Sequence, residues 1–243
     1  ILDFSLNEVG DRVPIISGVY ADGSIEAAKL AKAWERAGAS ALLVFPSNVL
    51  GMGGFQRPEM AVEHFKYIAD ATDLPLIAFV YPVQSTLHFT FEGLVQLFDE
   101  VPSVKAIKDW CNDPKLHERH MREFQSRANP VNVLTTHSSW LMSSLALGAA
   151  GLLSGAGSVI APLQVALFEA IQRGDLTGAR KINDKLYPFQ QAFYADPFLD
   201  MHNRMKQLLC LKGDVPNAVV RPPLISLPSS ETNRLELLSG ISI

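Results

Sequence analysis

The chain has 243 residues, of which 48% are hydrophobic and 19% are charged, and its net charge is −4. This length allows one α/β barrel or two smaller domains, and the absence of a basic run excludes the electrostatic surface of a nucleic-acid-binding protein. Charged residues interrupt every long apolar stretch, so we expect no membrane partner. Two cysteines, Cys111 and Cys210, cannot form a disulfide framework and are typical of reduced thiols in a cytoplasmic protein.

Short apolar segments alternate with amphipathic helical segments along most of the chain. Continuous apolar strands of this kind are typical of a parallel sheet that is covered on both faces. Successive βα units without a reversal favour a (β/α)₈ TIM barrel over an open doubly wound sheet, although six strands are two short of closure. The strands are predicted to start near residues 13, 41, 75, 104, 131 and 150.

The pattern changes after Gly174, where only helical segments follow. We therefore predict two regions: 1–173 as the TIM-barrel units and 174–243 as a C-terminal helical extension. In the first region Ser24 is the expected N-cap of a helix that ends at Gly38. Helices are predicted over 24–38, 58–70, 91–100, 114–127, 139–149, 161–174, 175–195 and 197–213, with a last one that is capped near Ser229 or Ser230.

An apolar strand that ends in a lysine is the most informative local feature. The C-terminal ends of barrel strands face the active-site mouth, which places Lys108 at the end of one strand and Tyr81 at the end of the strand before it. Burial lowers the pKa of an amine, and a neutral amine can attack a carbonyl to form a Schiff base while a phenol transfers the protons. In the alternative interpretation, Lys108 pairs with a carboxylate such as Asp109 or extends to the rim. Trp110 would be a wall of this site.

The order of four motifs resembles a known family. "AFVYPVQST", "VKAIKDW", "AGLLSGAGSVIAP" and "VVRPPLISL" follow one another as in the dihydrodipicolinate synthase and N-acetylneuraminate lyase superfamily of class I aldolases. The resemblance runs from about residue 8 to the C-terminus. It implies that Lys108 forms the Schiff base with pyruvate or a related 2-oxo acid, that Tyr81 is the proton relay, and that Leu153 is a contact of the Schiff base in the eighth strand. No cofactor or metal is implied, and relatives form dimers that pair into tetramers.

The chain also departs from the family pattern. It supplies strands three to eight only, without the turn that binds the substrate carboxylate, so we expect about 50 further N-terminal residues in the functional protein. Thr86, or Ser85, stands where the synthases have an arginine that holds the carboxylate of the second substrate. We therefore expect dihydrodipicolinate synthase activity itself to be absent. Ser47 and Asn48 stand where they have a tyrosine that enters the neighbouring subunit, so the relay must run through other groups or water.

Two further groups of polar residues leave alternatives open. Thr136 and His137 follow the predicted seventh strand, where they would either contact a hydroxylated substrate tail or cap the next helix. His117 and His120 lie on a predicted helix and are expected to form a solvated face rather than a metal site. The leading hypothesis is a Schiff-base lyase, either an aldolase or a dehydratase. The alternative is a non-catalytic 2-oxo acid binding or regulatory protein on the same scaffold.

Overall fold

A computed structural model describes residues 1–241 of the chain. Two compact units are present. The first comprises Ile1–Thr135 together with Gly148–Leu152, and the second comprises Thr136–Leu147 together with the chain from Leu153 onward. These units do not follow the predicted boundary at 173–174, because the segment after the last strand belongs to the second unit. The boundary between a barrel part and a helical extension therefore stays a prediction.

The first unit contains a six-stranded parallel sheet whose strands lie side by side in chain order. This confirms the α/β class, the parallel sheet and the number of strands expected from the sequence. Only the last strand is much shorter than its predicted segment, 150–155. The strands are β1 (Ile16–Val19), β2 (Ala41–Val44), β3 (Leu76–Val80), β4 (Val104–Asp109), β5 (Asn132–Thr135) and β6 (Gly151–Leu152).

Helices follow the strands closely in the places that the sequence predicts. The exceptions are an unpredicted helix at the start of the described chain and the cap of the second helix, where Gly23 rather than Ser24 is the N-cap and the Ser24 hydroxyl lies 3.0 Å from Nδ1 of His64. The helices of the first unit are α1 (Leu2–Val9), α2 (Ser24–Ala37), α3 (Pro58–Ala69), α4 (Phe91–Glu100) and α5 (Pro114–Phe124). Those of the second unit are α6 (Leu141–Ala146), α7 (Gly157–Gln172), α8 (Leu176–Phe193), α9 (Met201–Leu211) and α10 (Ser229–Ser239).

The core of the first unit lies on both faces of the central strands. All five residues of β3 are buried, which is the burial expected of a parallel strand that helices cover on both sides. Two helix starts beside the sheet are fixed by side-chain caps. The Thr90 hydroxyl accepts from Gly93 N–H at the start of α4, and the Asp113 carboxylate accepts from Leu116 N–H at the start of α5. These caps set where the chain leaves the loops that follow β3 and β4.

A buried arginine connects three helices of the second unit. Arg204 on α9 is fully buried, and its Nε donates to Oε2 of Glu231 at 2.7 Å. Its other nitrogens donate to the backbone carbonyls of Phe193, Ala195 and Asp196, at the end of α8 and just beyond it. A guanidinium has five donors in a fixed plane, so one side chain can hold several carbonyls that a helix end leaves unpaired.

Membrane insertion by a helix finds no support in the described part of the chain. Within residues 1–241, no helix combines the length and the apolar character that a bilayer crossing requires.

Replacing the buried arginine should destabilise the protein strongly. We expect Arg204→Met to lower the free energy of unfolding by about 3 kcal/mol, because three carbonyls lose the bonds that Arg204 donates and Glu231 keeps only its bond from Arg234. Arg173→Met is the matched control, since Arg173 forms an exposed pair with Glu169 and should cost under about 1 kcal/mol. Urea denaturation measures both, and equal costs would show that the buried contacts of Arg204 do not stabilise the fold.

Candidate active site

The two residues that the sequence singled out belong to neighbouring strand ends, Lys108 within β4 and Tyr81 directly after β3. β3 and β4 pair in parallel, and their register places Phe79 beside Lys108 and Val80 beside Asp109. Tyr81 is the first residue after β3, so it lies one step beyond the pair that contains the lysine. The backbone N–H of Trp110 donates to the Val80 carbonyl at 3.0 Å, which continues the ladder past the end of β3.

Lys108 has an apolar environment. Its side chain is half-buried, and Nζ lies 4.9 Å from the centre of the Phe79 ring. Burial lowers the pKa of the Lys108 amine from its ordinary value. Among residues 1–241, no ion pair involves Lys108. The amine therefore lacks the carboxylate that would hold it in the charged form.

Asp109 does not serve as that carboxylate, although it is the next residue. Successive strand residues point to opposite faces, so Asp109 lies on the face that packs against α5. Its Oδ2 lies 2.8 Å from Nδ1 of His117 and 2.7 Å from Nδ1 of His120, and its Oδ1 accepts from Cys111 N–H. The alternative interpretation, in which Lys108 pairs with Asp109, is therefore wrong.

The same cluster corrects the expectation for the two histidines. His117 and His120 are buried, not solvated, with exposed fractions of 0% and 1%. The sequence spacing places both on one face of α5, and that face covers the sheet. Burial alone would raise the pKa of Asp109, but the hydrogen bonds from His117 and His120 outweigh burial and hold that pKa far below its ordinary range.

Tyr81 lies above Phe79 on the same face of the strand. The centres of the two rings are 4.6 Å apart, and the centre of the Trp110 ring lies 6.2 Å from that of Tyr81. Burial raises the pKa of the Tyr81 phenol, and the nearby Tyr20 adds to this effect. The phenol therefore stays protonated at neutral pH, which is the state that can donate a proton and take it back.

Phe79 is the residue that sequence reasoning missed. The register partner of Lys108 is a phenylalanine without a hydroxyl, and the first hydroxyl along the strand is that of Tyr81, two residues further. The period of two in a strand was the available signal, because it puts residues 79 and 81 on one face.

Asn48 belongs to a polar cluster that links the loops after β1 and β2. Its Nδ2 donates to the Tyr20 hydroxyl at 2.8 Å, and its backbone N–H donates to Oδ1 of Asp22 at 3.0 Å. The Ser47 hydroxyl donates to the Asp22 carbonyl at 2.7 Å. Tyr20 is a second phenol at the strand ends, and sequence reasoning did not identify it, although an aromatic residue directly after a strand was visible.

Thr86 lies on the loop between β3 and α4. It lines a small apolar cavity of about 20 Å³ together with Leu50, Phe55 and His88, and the ring of Phe55 stacks on that of His88. This volume is close to that of a single water site. Thr86 therefore packs against the 48–56 segment, and its position offers no cation for a second carboxylate.

Three predicted substrate contacts lie in the second unit. His137 is buried and stacks on Trp140 with ring centres 4.1 Å apart, and its side chain does not cap the short 3₁₀ helix that follows it. The carbonyl of Thr136 accepts from Ser138 N–H. Leu153 follows β6 and is partly exposed. Their roles in substrate binding stay predictions.

A network of hydroxyls next to Leu153 was not predicted. The hydroxyls of Ser138 and Ser154 lie 2.7 Å apart, and Nε2 of the Gln164 side chain donates to the Ser154 hydroxyl at 2.9 Å. Burial raises the pKa of the Tyr194 phenol, which also hydrogen bonds to both serines. Single serines separated by 16 residues give no periodic signal, so only the fold brings them together.

Comparison with known proteins identifies the family. The model of the dihydrodipicolinate synthetase family matches residues 1–241. The chain belongs to this family. Its members are lyases of the class I aldolase type, and the chain is an enzyme of that class, as the sequence motifs implied.

Named relatives share about a quarter of their residues with the chain. The 4-hydroxy-tetrahydrodipicolinate synthase of Rhizobium meliloti is 25% identical over 233 residues, which are 95% of this chain and 75% of that protein. The enzyme of the same name from Bacillus velezensis is 29% identical over 245 residues, which cover 100% of this chain and 79% of that protein. The chain thus spans about three quarters of the length of these relatives.

Solved structures have the same fold. Dihydrodipicolinate synthase from Thermotoga maritima superposes with a TM-score of 0.86 at 22% identity, over 99% of this chain and 80% of that one. A prophage protein of the family from E. coli K12, solved in complex with pyruvate, gives a TM-score of 0.86 at 23% identity, over 98% and 78%. At this identity the likeness concerns the fold alone.

Removing the charge of Asp109 should change stability in a pH-dependent way. Since its pKa is lower in the folded state, the carboxylate stabilises fully above the unfolded pKa of about 3.9, and this stabilisation is lost as the pH falls below it. We expect Asp109→Asn to be less stable than the wild type by about 3 kcal/mol at pH 7, with a difference that shrinks below about pH 4.

Chemical denaturation across this pH range measures the difference. Asp99→Asn is the control, because Asp99 is an exposed carboxylate paired with Arg127 and should cost under about 1 kcal/mol. A constant difference between wild type and Asp109→Asn down to pH 2 would contradict the role assigned to the buried carboxylate.

Proposed function

We propose that the chain is a Schiff-base-forming lyase that acts on pyruvate or a related 2-oxo acid through Lys108. The single observation that supports this most is the environment of the amine, which is half-buried, lies against the Phe79 ring and has no ion-pair partner among the described residues. Desolvation of this kind increases the neutral fraction of the amine, and only the neutral amine is a nucleophile.

The first steps move protons and no metal is needed for them. The neutral Nζ of Lys108 attacks C2 of the 2-oxo acid, and the carbonyl oxygen takes up a proton to give a carbinolamine. The nitrogen then loses a proton, the carbinolamine hydroxyl takes up a second proton and leaves as water, and the nitrogen lone pair forms the C2=N bond of the iminium. Tyr81 is the phenol nearest to the lysine along the strand, and its raised pKa suits a group that gives and regains one proton.

The iminium then acts as an electron sink. In an aldol cleavage, the C3–C4 bond breaks, its electrons form an enamine, and the C4 hydroxyl loses its proton as the aldehyde departs. In a dehydration, C3 loses a proton and C4 loses hydroxide, which takes up a proton to leave as water. Both reactions share every step up to the iminium, so Lys108 and Tyr81 have the same roles in each.

Other predicted residues are proposed as substrate contacts. Asn48 is held beside the Tyr20 hydroxyl, and Thr86 lies on the loop that follows Tyr81. In the second unit, the contacts are proposed to be Thr136, His137 and Leu153.

The proposal also covers the closure of the barrel, the oligomeric state and the cellular location. Closure of the parallel sheet into an eight-stranded (β/α)₈ barrel would require two βα units beyond the six that the chain contains. We propose a homodimer or homotetramer, and a cytoplasmic protein whose two cysteines stay reduced. The non-catalytic alternative, in which the lysine binds 2-oxo acids without turnover, has no specific support from the comparisons.

Trapping of the iminium tests the proposal. We expect incubation with pyruvate and borohydride to add one reduced adduct that peptide mapping places on Lys108, and Lys108→Met to abolish it. Lys105→Met is a matched control, because Lys105 lies on the same strand with an exposed side chain and should leave the adduct unchanged.

Three outcomes would contradict the proposal. An adduct that forms equally in Lys108→Met would show that another amine reacts. A folded wild-type protein that forms no adduct with pyruvate or with longer 2-oxo acids would show that Lys108 is structural. Formation of the adduct without turnover of any 4-hydroxy-2-oxo acid or 3-deoxy-2-oxo acid would favour the binding protein.

A further inference from the structure

The residues around the Lys108 amine form two levels on the face of β3 and β4 that carries Phe79 and Lys108. Phe79 and Lys108 are the lower level, because they are register partners. Tyr81 and Trp110 lie two residues further along each strand, so they form the upper level on the same face. A molecule that reaches Nζ of Lys108 from the strand ends must therefore pass Tyr81 and Trp110.

The upper level is aromatic and accessible. Phe79 is 6% exposed, whereas Tyr81 and Trp110 are each partly exposed. The ring centres of Phe79 and Trp110 are 6.4 Å apart, and those of Tyr81 and Trp110 are 6.2 Å apart, distances at which aromatic rings attract one another. TIM-barrel interiors are filled mainly by branched aliphatic residues, so partly exposed rings at this level are better explained as the wall of a binding site.

The aromatic wall continues toward β1 and β2. The Phe45 ring stacks on Phe79 with centres 4.9 Å apart, and the Tyr20 ring meets Phe45 edge-on at 5.6 Å. Tyr20 is 58% exposed, and its oxygen already accepts from Asn48, so its own proton is available to an acceptor on a ligand.

Charge at the strand ends supports an uncharged ligand group. The residues directly after β1 to β4 read "YAD", "FPS", "YPV" and "WCN", which contain one aspartate and no lysine or arginine. A second carboxylate on the substrate would find no ion-pair partner in these segments, whereas an apolar ring would find a large aromatic surface.

We propose that the substrate is a 2-oxo acid with an aromatic ring attached near C4, which packs against Tyr81 and Trp110 while C2 is bound to Lys108. This inference rests on the proposed function, because it assigns the substrate of the same lysine. It also identifies Trp110 as a residue that determines specificity.

The test compares two ligands that differ only in the ring. 2-Oxo-4-phenylbutanoate and 2-oxo-4-cyclohexylbutanoate both form an iminium, whether the enzyme is an aldolase or a dehydratase. The concentration that gives half-maximal borohydride labelling of Lys108 is measured for each. We expect the phenyl compound to label at about fivefold lower concentration, since ring pairing adds to the burial that both compounds share.

Two variants test whether the preference for the phenyl compound arises from the aromatic residues at the upper level. Trp110→Leu keeps an apolar side chain, and we expect it to bring the two half-maximal concentrations within about twofold of each other. Tyr67→Leu is the matched control, since Tyr67 on α3 is 51% exposed and lies outside this wall, and the fivefold preference should remain.

Pyruvate labelling separates failure of this inference from failure of the proposed function. If pyruvate labels Lys108 in wild type and Trp110→Leu but the phenyl compound has no advantage, the aromatic substrate is excluded and the Schiff-base function stands. An advantage that survives in Trp110→Leu also overturns the inference. If neither compound nor pyruvate labels the folded wild type, the proposed function fails and this inference fails with it. If Trp110→Leu loses pyruvate labelling while the wild type keeps it, Trp110→Phe is measured instead. This variant retains an aromatic ring, so it must keep the preference for the phenyl compound, and loss of the preference would overturn the inference.

Discussion

The site depends on the Lys108 amine, which is partly removed from water and has no ion-pair partner within residues 1–241. Lys108 lies on a central strand whose neighbour presents the Phe79 ring, 4.9 Å from Nζ. An ammonium in such a place loses hydration that the Phe79 ring face replaces only in part, so the neutral amine is favoured. The chemistry proposed for the chain follows from this desolvation of Lys108, since a neutral amine attacks a carbonyl and an ammonium does not.

The alternation of side chains along β4 keeps Lys108 unpaired among the described residues, because it places the adjacent Asp109 on the opposite face of the sheet. Asp109 would neutralise Lys108 if both side chains lay on one face, but the pleat directs its carboxylate to α5. There His117 and His120 hold it through two hydrogen bonds, in a fully buried position. The same cluster that stabilises the end of β4 therefore keeps the carboxylate away from the amine.

Sequence reasoning predicted the elements better than their internal geometry. Apolar strands and capped helices have local signals, so the six strands of the sheet and the ends of α4 were found within a few residues. The motifs around Lys108 also led to the correct family. The position of Phe79 was missed because register between strands is a pairing of distant segments, and a shift by one residue exchanges the faces.

The two histidines of α5 show a different limit. Residues 117 and 120 are three apart and share one helix face, and their polar character suggested solvent. Only the tertiary structure brings both rings to the buried carboxylate of Asp109, whose hydrogen bonds with them offset part of the cost of their burial. The hydroxyl network of Ser138, Ser154 and Tyr194 is also non-local, and no spacing in the sequence indicates it.

Direct titration of Lys108 tests the central claim. Protein labelled with ¹³C at the lysine ε-carbons would be titrated by NMR, and the Lys108 signal would be assigned from its absence in Lys108→Met. The account predicts a pKa of Lys108 clearly below the ordinary lysine value of about 10.4. If Lys108 titrates at or above that ordinary value, the amine is not desolvated, and the physical basis of the proposed Schiff-base chemistry is wrong.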